Sequence, residues 1–395
     1  MENRFSELES ALSIELIRIL DYWKEHTVDL AQGGFFGKIN HHGIVADTAP
    51  KGLVLNARIL YAFSAGYQQT KQAQYLQMAQ RALKYLCTYF YDKTFGGMFW
   101  AVDASGKPLD TKKQVYGIAF CIYALAEYHM AFESKEALVL AKELYELLET
   151  KTLDKVHGGY FEAFTQGWAV LESPQLSNKD QDSPKTMNTH LHLLEAYSNL
   201  FKIWPNRKLK TSILELLKIF KQSFISPQGH LHLFFSEDWI LESDSISYGH
   251  DIEASWLIWE AAKLVEDEKQ LLLTKQVILL IADAARTGLD ADGGLMNESN
   301  TNQTVWNKER HWWQQAEAMV GWMNAWQLNG HQQNVEIVFN SWRFIKKHLL
   351  DYDKGEWFWG VNADYSKMVQ EDKAGFWKCP YHNTRMCIEM LHRLN

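Results

Sequence analysis

The chain has 395 residues, 47% hydrophobic and 22% charged, with a formal net charge of −8. So much apolar material excludes a disordered chain, and the lack of any basic run or face excludes nucleic acid as a partner. Glu2, Glu7, Glu9 and Glu15 stand where a signal peptide would be apolar, no stretch reads as long enough to span a bilayer, and Cys87, Cys121, Cys379 and Cys387 lack paired metal spacing, so a cytoplasmic, membrane-free chain with reduced thiols is expected.

A glycine turn followed by aromatic or apolar residues recurs along the chain. It reads Gly33-Gly34-Phe35-Phe36, Gly96-Gly97-Met98-Phe99-Trp100, Gly158-Gly159-Tyr160-Phe161 and, more weakly, Gly229-His230-Leu231-His232-Leu233. Gly293-Gly294-Leu295-Met296 and Gly355-Glu356-Trp357-Phe358-Trp359 complete the series. The copies lie about 60 to 70 residues apart, a period that marks a repeat architecture. Glycine followed by alternating aromatics predicts a tight turn and a short hairpin.

Each repeat holds two helical patterns. The amphipathic, charge-bearing helices are predicted over residues 4–24, 72–91, 135–153, 207–224, 269–286 and 332–349. The helices apolar on most faces are predicted over 51–67, 113–128, 187–204, 247–265, 311–328 and 377–394. A helix apolar nearly all round is buried. Six buried helices alternating with six half-exposed ones predict an all-α fold, an (α/α)6 barrel with short β-hairpins in its loops, as one domain over residues 1–395. The alternative is an open solenoid of helix pairs. Closure is favoured because no terminal repeat carries a polar cap. The longest non-periodic stretch, residues 168–185, leads into the third inner helix, and ordered loops of that length are often functional.

Packing alone would make the inner helices wholly apolar, yet each carries polar residues near its start. They are Asn56 and Arg58; Tyr116; Asn188, His190 and His192; His250, Asp251 and Glu253; Trp312, Trp313 and Glu317; and Lys378, Tyr381, His382 and Asn383. Inner helices of an alternating barrel run parallel, so these groups converge on one mouth, a binding pocket by construction. A single buried histidine is more often a hydrogen-bonded core group, but three at matching depth point to acid–base work. Arg58 either pairs with Glu253 or Glu317 or donates to sugar oxygens and a developing oxyanion. Trp313, like the 16 Trp, 17 Tyr and 20 Phe as a whole, either fills a core or stacks on a sugar ring. His190 and His192 diverge by about 200° on a helix and cannot share a metal. His250 and Glu253 can share a face, which leaves a metal open, but Glu253 more simply orients His250. No phosphate-cradling loop or dinucleotide fingerprint is present. No cofactor and no metal are expected.

These segments resemble the N-acylglucosamine 2-epimerase superfamily, most closely its cellobiose 2-epimerase branch. The likeness spans essentially the whole chain and is carried by MNTHLHLLEAY (187–197), SYGHDIEASWL (247–257), WWQQAEA (312–318) and WKCPYHN (377–383), with LSNKDQDSPKT (176–186) before them. The resemblance implies an (α/α)6 barrel that interconverts gluco and manno configuration at C2 of an aldose, or of the reducing-end residue of a β-1,4-linked disaccharide, without a redox cofactor. It implies His250 and His382 as the acid–base pair; inversion at C2 suits two bases on opposite barrel walls, each titrating near neutrality to serve in both directions. Glu253 would support His250, and His192 would open the sugar ring. Arg58, Tyr116 and Asn188 would bind substrate oxygens, with Arg58 on the enediolate. Trp256, Trp313, Glu317 and Trp377 would wall or support the pocket. Asp182-Ser183-Pro184 and Asn56 depart from that branch and leave open whether cellobiose or free mannose and glucose is the substrate. The expected partner is a small sugar, and the expected state a monomer.

Three other readings fit parts of the pattern. An aldose–ketose isomerase would share the enediolate. An inverting hydrolase would need Glu253 and Glu317 as acid and base. A sugar-binding toroid would use the tryptophans but leave the histidines without a task.

Overall fold

The computed structural model describes residues 1–177 and 181–394. Twelve α-helices follow one another: α1 (Glu2–His26), α2 (Leu53–Thr70), α3 (Ala73–Tyr85), α4 (Val115–Phe132), α5 (Lys135–Lys151), α6 (Met187–Ile203), α7 (Arg207–Ile219), α8 (Tyr248–Val265), α9 (Glu268–Ala285), α10 (Trp312–Asn329), α11 (Gln332–Phe344) and α12 (Tyr381–Leu394). The even-numbered helices form the inner ring. Each packs on the next, and α12 packs on α2, so the ring closes as expected and the solenoid is excluded. The odd-numbered helices form the outer layer, α1 lying on α12 and each of the others on the inner helix before it.

Side-chain periodicity decides the layer. In α7 the buried residues Leu209, Ser212, Ile213, Leu216 and Leu217 make one stripe, so the opposite face meets water. In α2 every residue from Leu53 through Gly66 is buried. The same property makes α4 long and apolar enough to cross a bilayer by composition, contrary to the sequence reading. That helix is packed between α2 and α6.

The six glycine turns form a second ring at one end of the barrel. Two-residue strands before the first five inner helices pair antiparallel with the hairpin of the next repeat: Lys51 with Val102, Lys113 with Phe164, Lys185 with Phe235, Ile246 with Ser299 and Arg310 with Val361. A bridge between Ile39 and Ala374 closes this ring too. These strands explain why four of the inner helices begin one or two residues later than predicted, while the third begins at Met187 as predicted. The sixth begins latest, at Tyr381 rather than 377, because Pro380 holds the residue before it out of the helical region.

A buried ion pair staples most turns. Lys51 reaches Asp29 at 2.8 Å, Lys113 reaches Asp92 at 2.7 Å and Lys185 reaches Asp154 at 2.6 Å. Lys373 pairs with Asp351 in the same way, and the buried Arg310 pairs with Asp290, whose carboxylate is partly exposed. The lysines at 51, 185 and 373 also donate to the carbonyl of the turn glycine, Gly33, Gly158 and Gly355. The weak fourth repeat lacks the pair and instead ties His230 Nδ1 to Asp251 at 2.7 Å.

Candidate active site

The N-terminal turns of the inner helices converge inside the hairpin ring on a cavity of about 440 Å³. Of the residues singled out from sequence, Arg58, Tyr116, Asn188, His192, His250, Glu253, Trp313, Trp377 and His382 line it. Trp256 and Glu317 lie one layer below. Trp256 Nε1 donates to Glu317 Oε2 at 3.0 Å, and Glu317 Oε1 holds His382 Nδ1 at 2.7 Å. Trp312, Trp359, Leu176, Ser177 and Glu371 complete the wall. Asn178, Lys179 and Asp180 of the 176–186 loop lie outside the described residues.

Other polar residues at the helix starts serve the hairpin ring instead. His190 Nδ1 lies 2.7 Å from the Thr186 carbonyl, and its Nε2 accepts the Tyr160 amide at 3.0 Å. Asn56 donates to the Gly52 carbonyl, Lys378 and Asn383 bind Glu356, and Asp251 accepts from the Leu231 amide. The barrel mouth thus splits its polar residues between a scaffold and a site.

The three cavity histidines have three different partners. His192 Nδ1 meets Glu195 Oε2 at 2.9 Å, His250 Nδ1 meets Ser247 Oγ at 2.7 Å, and His382 Nδ1 meets Glu317. Glu253 therefore does not orient His250, as the sequence suggested. It lies 2.7 Å from Arg385 Nη2, which also binds Glu317 Oε1 at 2.7 Å, while Arg385 Nη1 binds Glu195. Arg58 pairs with neither Glu253 nor Glu317. Its Nη2 donates to Tyr116 Oη at 2.8 Å, and its Nε has no partner. Nor do His250 and His382 face each other from opposite walls. Their helices both flank α10, and both rings meet Trp313, with centroids 4.8 and 5.7 Å from it.

Arg385, Glu195 and Ser247 were missed, although a signal for two of them was available. One turn after each cavity histidine stands a charge: Glu195 after His192, Glu253 after His250 and Arg385 after His382. Side chains three apart share a helix face, so these three charges meet in a layer directly beneath the histidines.

That layer sets the protonation of the site. Burial opposes the charge on Glu195, but Arg385 and His192 outweigh it and draw its pKa down to about 2. Burial and then repulsion from Glu317 push Glu253 above the usual carboxylate range against the pull of Arg385, and burial moves Glu317 the same way. One guanidinium cannot neutralise three buried carboxylates, so the Glu253–Glu317 pair retains a proton at neutral pH. Desolvation lowers all three histidines below their ordinary value, His250 to about 3. They are held neutral, not poised near neutrality as expected. Glu253, Glu317 and His382 also have the spacing of a metal site. Arg385 already binds both carboxylates and supplies the cation between them.

The N-acylglucosamine 2-epimerase family matches residues 34–385. The chain is 44% identical to a protein of Bacteroides fragilis named cellobiose 2-epimerase, over 95% of this chain and 96% of that one. A solved cellobiose 2-epimerase from Spirochaeta thermophila superposes with a TM-score of 0.93 at 39% identity, covering 99% of this chain and 98% of the other. A D-mannose isomerase of Marinomonas mediterranea is more distant, at 24% identity over 92% of each chain. The chain is a member of the N-acylglucosamine 2-epimerase family and falls in its cellobiose 2-epimerase branch.

Proposed function

We propose that the chain epimerises cellobiose at C2 of its reducing-end glucose, giving glucosyl-mannose, with His250 and His382 as the two proton carriers. The observation that carries this reading is the placing of two neutral imidazoles from different helices, with separate partners, in one cavity over a single tryptophan ring. The relatives named as cellobiose 2-epimerases support the disaccharide.

The C2 proton of a closed hemiacetal is not acidic. Ring opening exposes an aldehyde, and the C2 carbanion then delocalises onto O1 as a cis-enediolate. His192, oriented by Glu195, is the group for ring opening. One of the other two histidines removes the C2 proton through Nε2, and the second delivers a proton to the opposite face. Glu317 holds Nδ1 of His382 and keeps Nε2 as the working nitrogen: it takes the Nδ1 proton when Nε2 accepts one from C2 and returns it when Nε2 delivers one. Arg58 faces the developing oxyanion, a contact whose loss typically costs about 10²–10³ in rate. Helix N-termini crowd the same mouth and add positive potential. Arg58 Nε, Asn188 Oδ1 and Trp312 Nε1 are buried polar atoms without partners on cavity residues, and sugar hydroxyls are suited to meet them.

The hydrolase reading loses its acid and base, because Glu253 and Glu317 bind one guanidinium nitrogen instead of flanking a glycosidic bond. The test is turnover of cellobiose in deuterated water, with product analysis by NMR. Glucosyl-mannose carrying deuterium at C2 is expected. Product without C2 deuterium overturns the proton-transfer mechanism. A 4-linked fructose as main product would make the enzyme an isomerase, and free glucose would make it a hydrolase.

A further inference from the structure

Beside the main cavity lies a second one of about 240 Å³, and His250 is part of the wall between them, together with Leu176 and Asn188. Its lining is mixed: Ser247, Ser245, Thr186, Glu162 and Glu298 stand beside Leu176, Met187, Leu233 and Phe234. The volume has room for several waters, which the hydroxyls and carboxylates of this wall can hold. Ser247, on the last strand residue before α8, bridges the two features. It lines the smaller cavity, and its Oγ lies 2.7 Å from His250 Nδ1.

We propose that Ser247 is a proton relay, passing the Nδ1 proton of His250 to and from water in the smaller cavity. The inference rests on the role given to His250 above. The contrast with His382 is what points to it. His382 is backed by Glu317 and Arg385, a charged cluster that retains a proton of its own, and it lines the main cavity and not the smaller one. Among the described residues the partner of His250 Nδ1 is a hydroxyl and not a carboxylate, and Glu253 one turn on is bound to Arg385. A histidine with only a hydroxyl behind it, in a place where burial and neighbouring His192 disfavour its cation, needs a way to accept a proton without keeping the charge. A hydroxyl both donates and accepts, so it can pass a proton through.

The step balances. As the C2–H bond breaks, its proton forms a bond to His250 Nε2 and its electron pair enters the enediolate. The Nδ1 proton moves to Ser247 Oγ, and the original Ser247 hydroxyl proton moves to a water of the smaller cavity and on to solvent. The imidazole ends neutral with its hydrogen on Nε2. Protonation at C2 by His250 reverses each transfer. Ser247 is a positioning and relay residue; it does not touch the sugar.

The experiment compares the full-length enzyme with Ser247→Ala and Ser247→Thr on cellobiose, measuring kcat, KM and the solvent deuterium isotope effect on kcat. Loss of the relay should lower kcat by about 10²-fold, within the usual range for assisted proton transfer. KM should stay within twofold, the isotope effect should shrink, and the threonine variant should recover most of both. Alanine activity within threefold of wild type overturns the relay. So does a loss of kcat with an unchanged isotope effect, which would mean that Ser247 only fixes the ring, or a threonine variant as slow as alanine. The wild-type rate across mixed H₂O and D₂O gives a test that needs no variant: a curved dependence is expected, and a linear one refutes the relay. Deuterium uptake at C2 by the wild type is read in the same samples. Its absence defeats the epimerase reading itself, whereas uptake with an indifferent Ser247 defeats only the relay.

Discussion

Removing Arg385 tests whether the charge layer beneath the histidines is arranged as described. Arg385→Met keeps the length and apolar contacts of the side chain and deletes the cation that binds Glu195, Glu253 and Glu317. Burial alone would raise the Glu195 pKa; Arg385, followed by His192 and Tyr381, brings it from 4.5 down to about 2. At about 1.4 kcal/mol for a tenfold change in protonation equilibrium, that net lowering corresponds to about 3 kcal/mol, of which Arg385 supplies the largest single part and His192 and Tyr381 the rest. The stranded Glu253–Glu317 pair adds to it, so the total should reach the range of about 3–5 kcal/mol found when one partner of a buried pair is deleted. The pH dependence carries a sign. Without the guanidinium, the three buried carboxyls have folded-state pKa values above those of the unfolded chain. Their cost is therefore largest at high pH and is relieved as pH falls toward 4.5. Urea unfolding of both proteins at pH 8, 6.5 and 5 should show a gap that is widest at pH 8 and narrows downward. A variant within 1 kcal/mol of wild type at pH 8, or a gap that widens on acidification, would refute the assigned charge arrangement.

Three further outcomes can be checked. Glu317→Gln replaces the anionic partner of His382 Nδ1 with a neutral amide, and kcat should fall by about 10²–10⁴-fold with KM little changed; initial rates near wild type would remove Glu317 from the mechanism. Because burial holds His250 at about 3 and lowers His192 and His382 as well, kcat/KM should show no histidine limb at or above the ordinary histidine value of about 6.5. Folded-state histidine pKa values below 6.5 also mean that stability present above pH 6.5 is lost on acidification, so any acid limb should coincide with loss of the circular-dichroism signal; a limb centred near 6.5 in a folded protein contradicts this. In the hairpin ring, Gly159 has φ +76°, and an added Cβ would stand 2.6 Å from the Trp239 ring and 2.8 Å from His190 Nε2, while Gly158, with the same φ, has open space around it. Gly158→Ala should cost about 1–3 kcal/mol for the backbone alone and Gly159→Ala clearly more; equal losses in urea titrations would show that the Trp239 contact does not constrain the turn.

The barrel was legible because its two signals are local and repeated. Six glycine turns give the period, and apolar residues all round α2, α4 and α10 separate the inner helices from the outer. The cavity residues were legible because helix starts in a parallel ring must meet. What could not be read was which polar residue faces the cavity and which faces a hairpin. His190 and His192 look alike as letters, yet one satisfies a backbone amide and the other a carboxylate. The pairing of Arg385 with three acids from α6, α8 and α10 depends on how those helices rotate against α12, which no spacing within one helix reveals. The error over Glu253 has the same origin. A residue one turn from His250 can share its face, but a buried carboxylate goes to the strongest available cation, and Arg385 outbids a neutral imidazole.

The two histidines proposed as proton carriers are thus unequal, one backed by a charged cluster and one by a hydroxyl, although the reaction proposed for them is nearly symmetric. Thermodynamics limits what that inequality can do. The ratio of forward to reverse kcat/KM must equal the equilibrium constant between glucosyl-glucose and glucosyl-mannose, which no side chain alters. Weakening either histidine must lower kcat/KM in both directions by the same factor, whichever face of the sugar it serves. The asymmetry is free to appear only in quantities that the equilibrium does not bind: kcat and KM taken singly, and the isotope effects on each. Those quantities can distinguish a proton held by Glu317 and Arg385 from one passed through Ser247.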